Sequence, residues 1–439
     1  MSRHDRHLPT SPSPAPASRA TAEKRAGKLR GGPDALFGRW LARRILGRLE
    51  RGRLVVVTPE GDHLVGEGGE PGTEATLVIG RWRAMRRLAI GGDIGFAEAY
   101  IDGDWSSPDL SAMIALGAEN VDALERICAG NPLVRLIERL RHRRNGNSKA
   151  GSRRNIAFHY DLGNDFYRLW LDDSMTYSSA LYDDPAMSLE AAQSRKIAEV
   201  LRQLDIRGGE RVLEIGSGWG ALAMELARRG AHVTTLTLSR EQHDHVVEAA
   251  ARAGLSDRVE VRLQDYRDVT GTFDRIVSIE MLEAVGEEYW PAYFAKLRSC
   301  LAPAGKAVLQ VITIREERYD AYRRGADFIQ RHVFPGGMLP TPAAIRHHVG
   351  AVGLGLVGAH TFGDSYRLTL AEWRRRFLAA WPRVESLGFG PSFRRLWEYY
   401  LGYCEAGFRT GMIDVGLYAL APIPVSAAGA EGERALTPR

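Results

Sequence analysis

Two regimes of apolar patterning run along this chain. From Arg211 onward, short apolar runs alternate with stretches whose apolar residues recur three and four apart: RVLEI then ALAMELARRG, HVTTLTLS then EQHDHVVEAAARAG, RVEVRLQDY, FDRIVSIEML then WPAYFAKLRSCL, and KAVLQVITI. The runs predict buried parallel strands and the wider spacings predict helices. Strand and helix in alternation imply an α/β fold with a doubly wound, mostly parallel sheet, in which ligands lie beyond the C-terminal strand ends. That rule puts residues 216–220, 237–239, 264–266, 280–283 and 310–312 along one rim. Earlier in the chain LVVVTPEG, ATLVIG and RRLAIGGD read as short strands between Gly, Pro and Asp turns, followed by a helix carrying Leu110, Met113, Ile114 and Leu116. A smaller N-terminal α+β domain is expected over 34–134 and the main domain over 155–424.

The segments around these units differ in composition. Residues 1–33 are rich in Ser, Pro, Ala and Arg and are expected to be a disordered basic tail; 425–439 is expected to be a flexible tail. From Asp34 a basic amphipathic helix is expected, with Leu36, Trp40, Leu41, Ile45 and Leu49 on one face. Such a helix can rest on an anionic membrane or cover its own domain. Residues 135–154 read as a basic linker, whose arginines either meet an anionic surface or are simply solvated. The stretch 155–184 is dense in aromatic residues, which either line a ligand cavity or form a lid packed on the core.

Charge and cysteine content narrow the classes. A net charge of +5 permits an anionic partner without choosing between nucleic acid and lipid. Cys128, Cys300 and Cys404 have no metal-ligand spacing, so neither a metal site nor a disulfide framework is expected. No apolar run reaches the length of a membrane span, so a cytoplasmic protein with at most peripheral membrane contact is expected.

The candidate chemistry centres on RVLEIGSGWG. Gly216, Gly218 and Gly220 follow a predicted strand at alternate positions and precede a helix. Glycines there remove the Cβ atoms that would block a cofactor and permit positive φ. The spacing G-x-G-x-G departs from the dinucleotide fingerprint G-x-G-x-x-G. With Glu214 two positions earlier, it resembles motif I of S-adenosylmethionine-dependent methyltransferases.

Further stretches then align in order: HYDLGNDFYRLWLD (159–172), MTYSSALY (175–182), TLSREQ (237–242), QDYRDV (264–269), FDRIVSIEMLEAVG (273–286), FIQRHVFPGGMLP (328–340), FGDSYRLTLAEW (362–373) and YYLGYCEAGFR (399–409). Together they resemble the cyclopropane-fatty-acyl-phospholipid synthases and mycolic acid cyclopropane synthases. IGFAEAYIDGDW (94–105) is similar, more loosely, to that family's small lipid-handling domain.

The resemblance implies a class I S-adenosylmethionine methyltransferase fold. It implies that Tyr177 and Ser178 touch the cofactor and that Gly216, Gly218 and Gly220 hold its methionine and ribose. Thr237, Leu238 and Gln242 match the segment beneath ribose and adenine, and Asp265 and Tyr266 the adenine side. Glu283, Tyr366 and the Ile312 backbone match ligands of an active-site bicarbonate that acts as general base. Ser179 and Gln310 stand where well-known members have Cys and His; Gln cannot titrate near neutral pH.

The activity so implied is transfer of a methyl group to the cis double bond of a phospholipid acyl chain. Loss of a proton then closes a cyclopropane ring, with Glu283 as the expected base and Tyr366 its hydrogen-bond partner. Loss of a different proton, or hydride capture, gives a methylene- or methyl-branched chain instead. On this reading the protein works at the inner face of the membrane, and a homodimer seating two catalytic domains there is compatible with the sequence. A binding protein that holds lipid and cofactor without chemistry is the reading from another class. No motif points to nucleic acid. The simpler roles for these residues are a helix cap at Glu280 and Glu283 and a core position for Tyr366.

Overall fold

The computed structural model describes residues 33–128 and 162–423. The expected tails and the basic linker 135–154 lie outside the described residues, apart from Pro33.

The main sheet has seven strands, β5 (Arg211–Ile215), β6 (His232–Thr237), β7 (Val259–Leu263), β8 (Phe273–Ile279), β9 (Leu301–Ile314), β10 (Leu354–Thr361) and β11 (Ile413–Pro422), in the order β10-β11-β9-β8-β5-β6-β7. β9, β8, β5, β6 and β7 are mutually parallel, and β11 and β10 add antiparallel strands at one edge. Chain order reverses between β5 and β8, so both strands end at the crevice where such sheets bind ligands. Val212, Leu213, Glu214 and Ile215 are all buried, as a strand covered on both faces requires. β10, which the apolar pattern did not single out, is an edge strand whose outer half, from Val357 to Thr361, is exposed. Its side-chain pattern therefore carries no buried face to read.

The N-terminal unit is a four-stranded sheet of β1 (Arg51–Val57), β2 (His63–Glu67), β3 (Glu70–Ile79) and β4 (Trp105–Ser106), ordered β2-β1-β3-β4. The strand expected at RRLAIGGD is a helix, Arg83–Ile101, kinked at Gly92 with φ 60°. A short apolar run bounded by glycines fits either element, and here the following residues continue the helix. The helix Pro33–Leu46 splits the apolar face expected on it. Leu41 and Ile45 are inside with Ala35, Gly38, Ala42 and Leu46, whereas Leu36 and Trp40 are exposed beside Phe37. Its small residues set the contact: a Cβ on Gly38 would sit 2.3 Å from the Trp82 ring.

One hydrophobic core joins the two units through the helix Pro391–Arg409. Gly402 lets that helix approach Leu110, 3.4 Å from where a Cβ would be, and Tyr399 packs on Tyr100 with ring centroids 5.5 Å apart. Most of the aromatic stretch joins this core as well. Phe166, Tyr167 and Trp170 are fully buried, packed on Trp219, Trp373 and Trp397, so among the described residues of that stretch Tyr177 alone lines the large cavity.

Candidate active site

The glycine turn has the geometry its sequence demands. Gly216, Gly218 and Gly220 have φ of 95°, 50° and 89°. A Cβ on Gly216 would lie 3.3 Å from Met281, and one on Gly220 would lie 3.0 Å from both Val246 methyls. Gly218 faces open space, leaving bare backbone for a ligand to lie against. Thr237 donates to the Gln242 side-chain oxygen at 2.8 Å, which turns the Gln242 NH₂ into the free donor of that pair. Leu238 beside them is half-buried. These residues fit a nucleoside with a polar tail.

At Asp265 and Tyr266, the residues expected on the adenine side, the structure shows tighter internal pairing than the sequence suggested. Asp265 accepts from Arg267 at Nε, 2.9 Å, and Nη2, 2.7 Å, and Arg267 also lies over the Tyr266 ring at 5.5 Å. The Arg267 guanidinium thus fixes Asp265 and Tyr266 together at the end of β7.

Tyr177 and Ser178, which the resemblance implied touch the cofactor, are each anchored by distant parts of the chain. Tyr177 shares a hydrogen bond with Tyr400 at 2.8 Å. Ser178 accepts from the ammonium of Lys196 at 2.7 Å, and its backbone carbonyl accepts from Gln193 at 2.9 Å. Lys196 is buried, and that burial pushes its pKa down to about 8. The sequence reading passed over Lys196, whose single polar position in a helix gives no signal apart from its buried neighbours.

Five expected catalytic residues, Ser179, Glu283, Gln310, Ile312 and Tyr366, lie together, but three of them close on Glu280 rather than on Glu283. Tyr366 donates to Glu280 at 2.7 Å, not to Glu283. Gln310 Nε2 and the Ser179 backbone N–H also donate to Glu280, at 2.7 and 2.9 Å. The Ser179 hydroxyl turns away to the carbonyl of Ala180. Glu283 receives the Ile312 N–H at 2.5 Å, and its other oxygen has no partner. The donors that the resemblance implied for bicarbonate are therefore occupied by the protein's own carboxylates, and a bicarbonate ion does not fit among them.

Glu280 was read only as a rim or helix-capping residue. It has φ 49°, a conformation rare for a residue with a side chain and characteristic of functional sites. Burial raises the pKa of both carboxylates, but three hydrogen-bond donors and the Lys196 charge pull Glu280 back. Glu283, beside the Glu280 charge, is pushed up to about 8. The two carboxylates are therefore coupled, with more groups favouring the charged form at Glu280 than at Glu283.

These groups form the polar end of a cavity of about 860 Å³. Most of the remaining lining is apolar, although Asp93, Arg318, Arg324 and Asp327 also border it, and the cavity reaches into the N-terminal unit, where Leu54, Leu77, Met85, Met113 and Leu116 line it. Phe334, Tyr366, Tyr399, Tyr400, Tyr403 and Phe408 give the cavity an aromatic wall, in which Tyr366 meets Glu280 and Phe408 stacks on Tyr366 with ring centroids 4.5 Å apart. The sequence contained this second aromatic set in the stretches 328–340, 362–373 and 399–409, yet nothing in its spacing showed that all three face one cavity.

The family of mycolic acid cyclopropane synthetases matches residues 147–417. The chain belongs to that family. It is 42% identical over 354 residues to the tuberculostearic acid methyltransferase UfaA1 of Mycobacterium tuberculosis, covering 79% of this chain and 83% of the relative. To the cyclopropane-fatty-acyl-phospholipid synthase of Escherichia coli it is 35% identical, covering 75% and 84%. Among solved structures, mycolic acid cyclopropane synthase CmaA1, complexed with SAH and CTAB, is 31% identical and superposes with a TM-score of 0.58 over 61% of this chain and 97% of that one. Coclaurine N-methyltransferase, at 17% identity and a TM-score of 0.57, shares the fold. This member of the cyclopropane synthetase family has the class I S-adenosylmethionine methyltransferase fold, extended by the N-terminal unit.

Proposed function

We propose that the protein transfers a methyl group from S-adenosylmethionine to the cis double bond of an unsaturated phospholipid acyl chain, and that a proton of the added methyl is then lost with closure of a cyclopropane ring. The observation that carries this reading is the mostly apolar cavity of about 860 Å³ ending at two half-buried carboxylates beside the glycine turn. Bound S-adenosylmethionine supplies an electrophilic methyl group. The apolar walls hold the acyl chain and exclude water, and the aromatic faces near Glu280 stabilise positive charge developing on it. The carboxylate pair offers the proton acceptor.

Access to a bilayer is supported by the helix Pro33–Leu46. Leu36, Phe37 and Trp40 are exposed on it, and Arg44 lies over the Trp40 ring at 5.6 Å. Apolar side chains with adjacent cations suit a shallow seat on anionic headgroups. Among the described residues no helix is long and apolar enough to cross a membrane.

A second reading, a methylene- or methyl-branched product, is favoured by the name of the 42% identical relative, a tuberculostearic acid methyltransferase. Both readings share the methyl transfer; a saturated branch needs a separate hydride donor. The test is incubation of the purified protein with S-adenosylmethionine and vesicles of cis-monounsaturated phospholipid. Mass spectrometry detects a gain of one CH₂, and proton NMR separates high-field ring protons from a branch. Absence of any mass gain, with SAH still bound, refutes both.

A further inference from the structure

We infer that Glu280 is the resident anion of this active site, filling the place in which an exogenous bicarbonate was expected, and that it accepts the proton released after methyl transfer. The inference rests on the methyl-transfer reading above for its chemistry, but not for its structural half.

Three donors from distant parts of the chain close on this one carboxylate: the Ser179 N–H, the Gln310 amide and the Tyr366 hydroxyl. Each is buried, so none can be left unpaired without cost. A free anion in the same place would have to displace Glu280 from all three and then stand against its charge in a dry site. The departures from the family pattern also agree with one another. Gln310 is a neutral donor, suited to a carboxylate that stays in place, and Ser179 contributes through its backbone, so the loss of the Cys side chain removes no contact.

The backbone reinforces the placement. Glu280 is held at φ 49° by its own N–H, which donates to the Gln310 carbonyl at 2.8 Å, and this aims the side chain into the cluster rather than along the sheet. Such a conformation is costly for a residue with a side chain and persists only where surrounding contacts enforce it. The buried ammonium of Lys196 adds a positive charge that favours the ionised form of Glu280.

In the reaction the sulfonium S–CH₃ bond breaks as the alkene π pair forms the new C–C bond, leaving a cation on the acyl chain. A C–H bond of the added methyl then breaks. Its electron pair closes the ring, and its proton passes to Glu280, which returns it to water once the product leaves.

The test compares the wild-type protein with E280Q and E280G. Glycine suits the positive φ, so E280G is expected to fold while opening a carboxylate-sized space. NMR with ¹³C-labelled bicarbonate is expected to show no bound ion in the wild type and a bound ion in E280G. With vesicles and S-adenosylmethionine, wild-type turnover is expected to be the same in carbonate-free buffer as with added bicarbonate. E280Q is expected to lose at least about a hundredfold in turnover while still binding SAH. E280G is expected to regain activity saturably with formate or bicarbonate. Stoichiometric bicarbonate in the wild type, loss of wild-type turnover on carbonate removal, or an active E280Q would each overturn the inference. If the wild type methylates no lipid in any buffer, the functional reading fails, and the bicarbonate-binding experiment still decides whether Glu280 fills the anion's place.

Discussion

Replacing Lys196 with methionine should separate stability from function. Its ammonium is buried and donates to Ser178 at 2.7 Å, and its pKa lies at about 8 against an ordinary 10.5. That gap corresponds to roughly 3 kcal/mol of cost for keeping the charge inside. The sign follows from the depressed value: the cost is fully present below about pH 8 and disappears as pH rises toward 10.5. At neutral pH, Lys196→Met removes that cost but also removes a charged hydrogen bond worth about 1.5–3 kcal/mol. The two nearly cancel, so the unfolding free energy should change by no more than about 1 kcal/mol.

Cofactor affinity should change much more. A serine hydroxyl that accepts from an ammonium has its own hydrogen turned outward, ready to donate to the carboxylate of the methionine moiety. Loss of that polarised donor should weaken SAH binding by about tenfold to a hundredfold. Isothermal calorimetry with SAH, with methylthioadenosine as the ligand lacking the carboxylate, and parallel urea denaturation measure both quantities. Equal losses for the two ligands, or unchanged SAH affinity with a collapse in stability, would refute the reasoning and make Lys196 a purely structural residue.

Other substitutions test other parts of the account. Gly220→Ala forces a side chain to φ 89° and to 3.0 Å from two Val246 methyls, and should cost about 3 kcal/mol in urea denaturation. Glu283→Gln should flatten the pH dependence of stability. Because the Glu283 pKa is raised to about 8, the wild type loses stability from this group as pH climbs from 4.5 to about 8, and the difference between the two proteins should grow by several kcal/mol across that window. Gly117→Phe places a ring in the apolar cavity from a helix position with no atom within 4 Å of the new Cβ, and should shift acyl preference toward shorter chains without altering SAH affinity. Raising the salt concentration should release the protein from anionic vesicles if Arg43 and Arg44 help to seat it, as a cosedimentation series would show.

What was legible in the sequence follows from how local each signal is. The strand, turn and helix from Arg211 to Arg228 are specified within a few residues, because three positive-φ glycines and a doubly buried strand admit few substitutes. Glu280 escaped attention because its role depends on a single unusual φ and on donors from Ser179, Gln310 and Tyr366, which the fold alone brings together. The apolar face expected on the helix Pro33–Leu46 is divided, with Leu41 and Ile45 buried and Leu36 and Trp40 exposed, because apolar size and close packing disagree there: Trp40 is the more hydrophobic residue, but Gly38 is the one that fits against Trp82. At Arg83–Ile101 a helix broken by Gly92 offered apolar runs as short as those of a strand. The aromatic residues near 170 announced a role correctly only in part, since most of them fill the core and Tyr177 alone among those described reaches the cavity.

The central claim is that a methyl group reaches the acyl chain and then gives up a proton at the carboxylate pair. Incubation with S-adenosylmethionine bearing a trideuterated methyl group, followed by mass spectrometry of the vesicle fatty acids, tests both halves at once. Acyl chains that gain one carbon carrying two of the three deuterons are the expected result. Unlabelled acyl chains would contradict the methyl transfer, and retention of all three deuterons would contradict proton removal from the added methyl group.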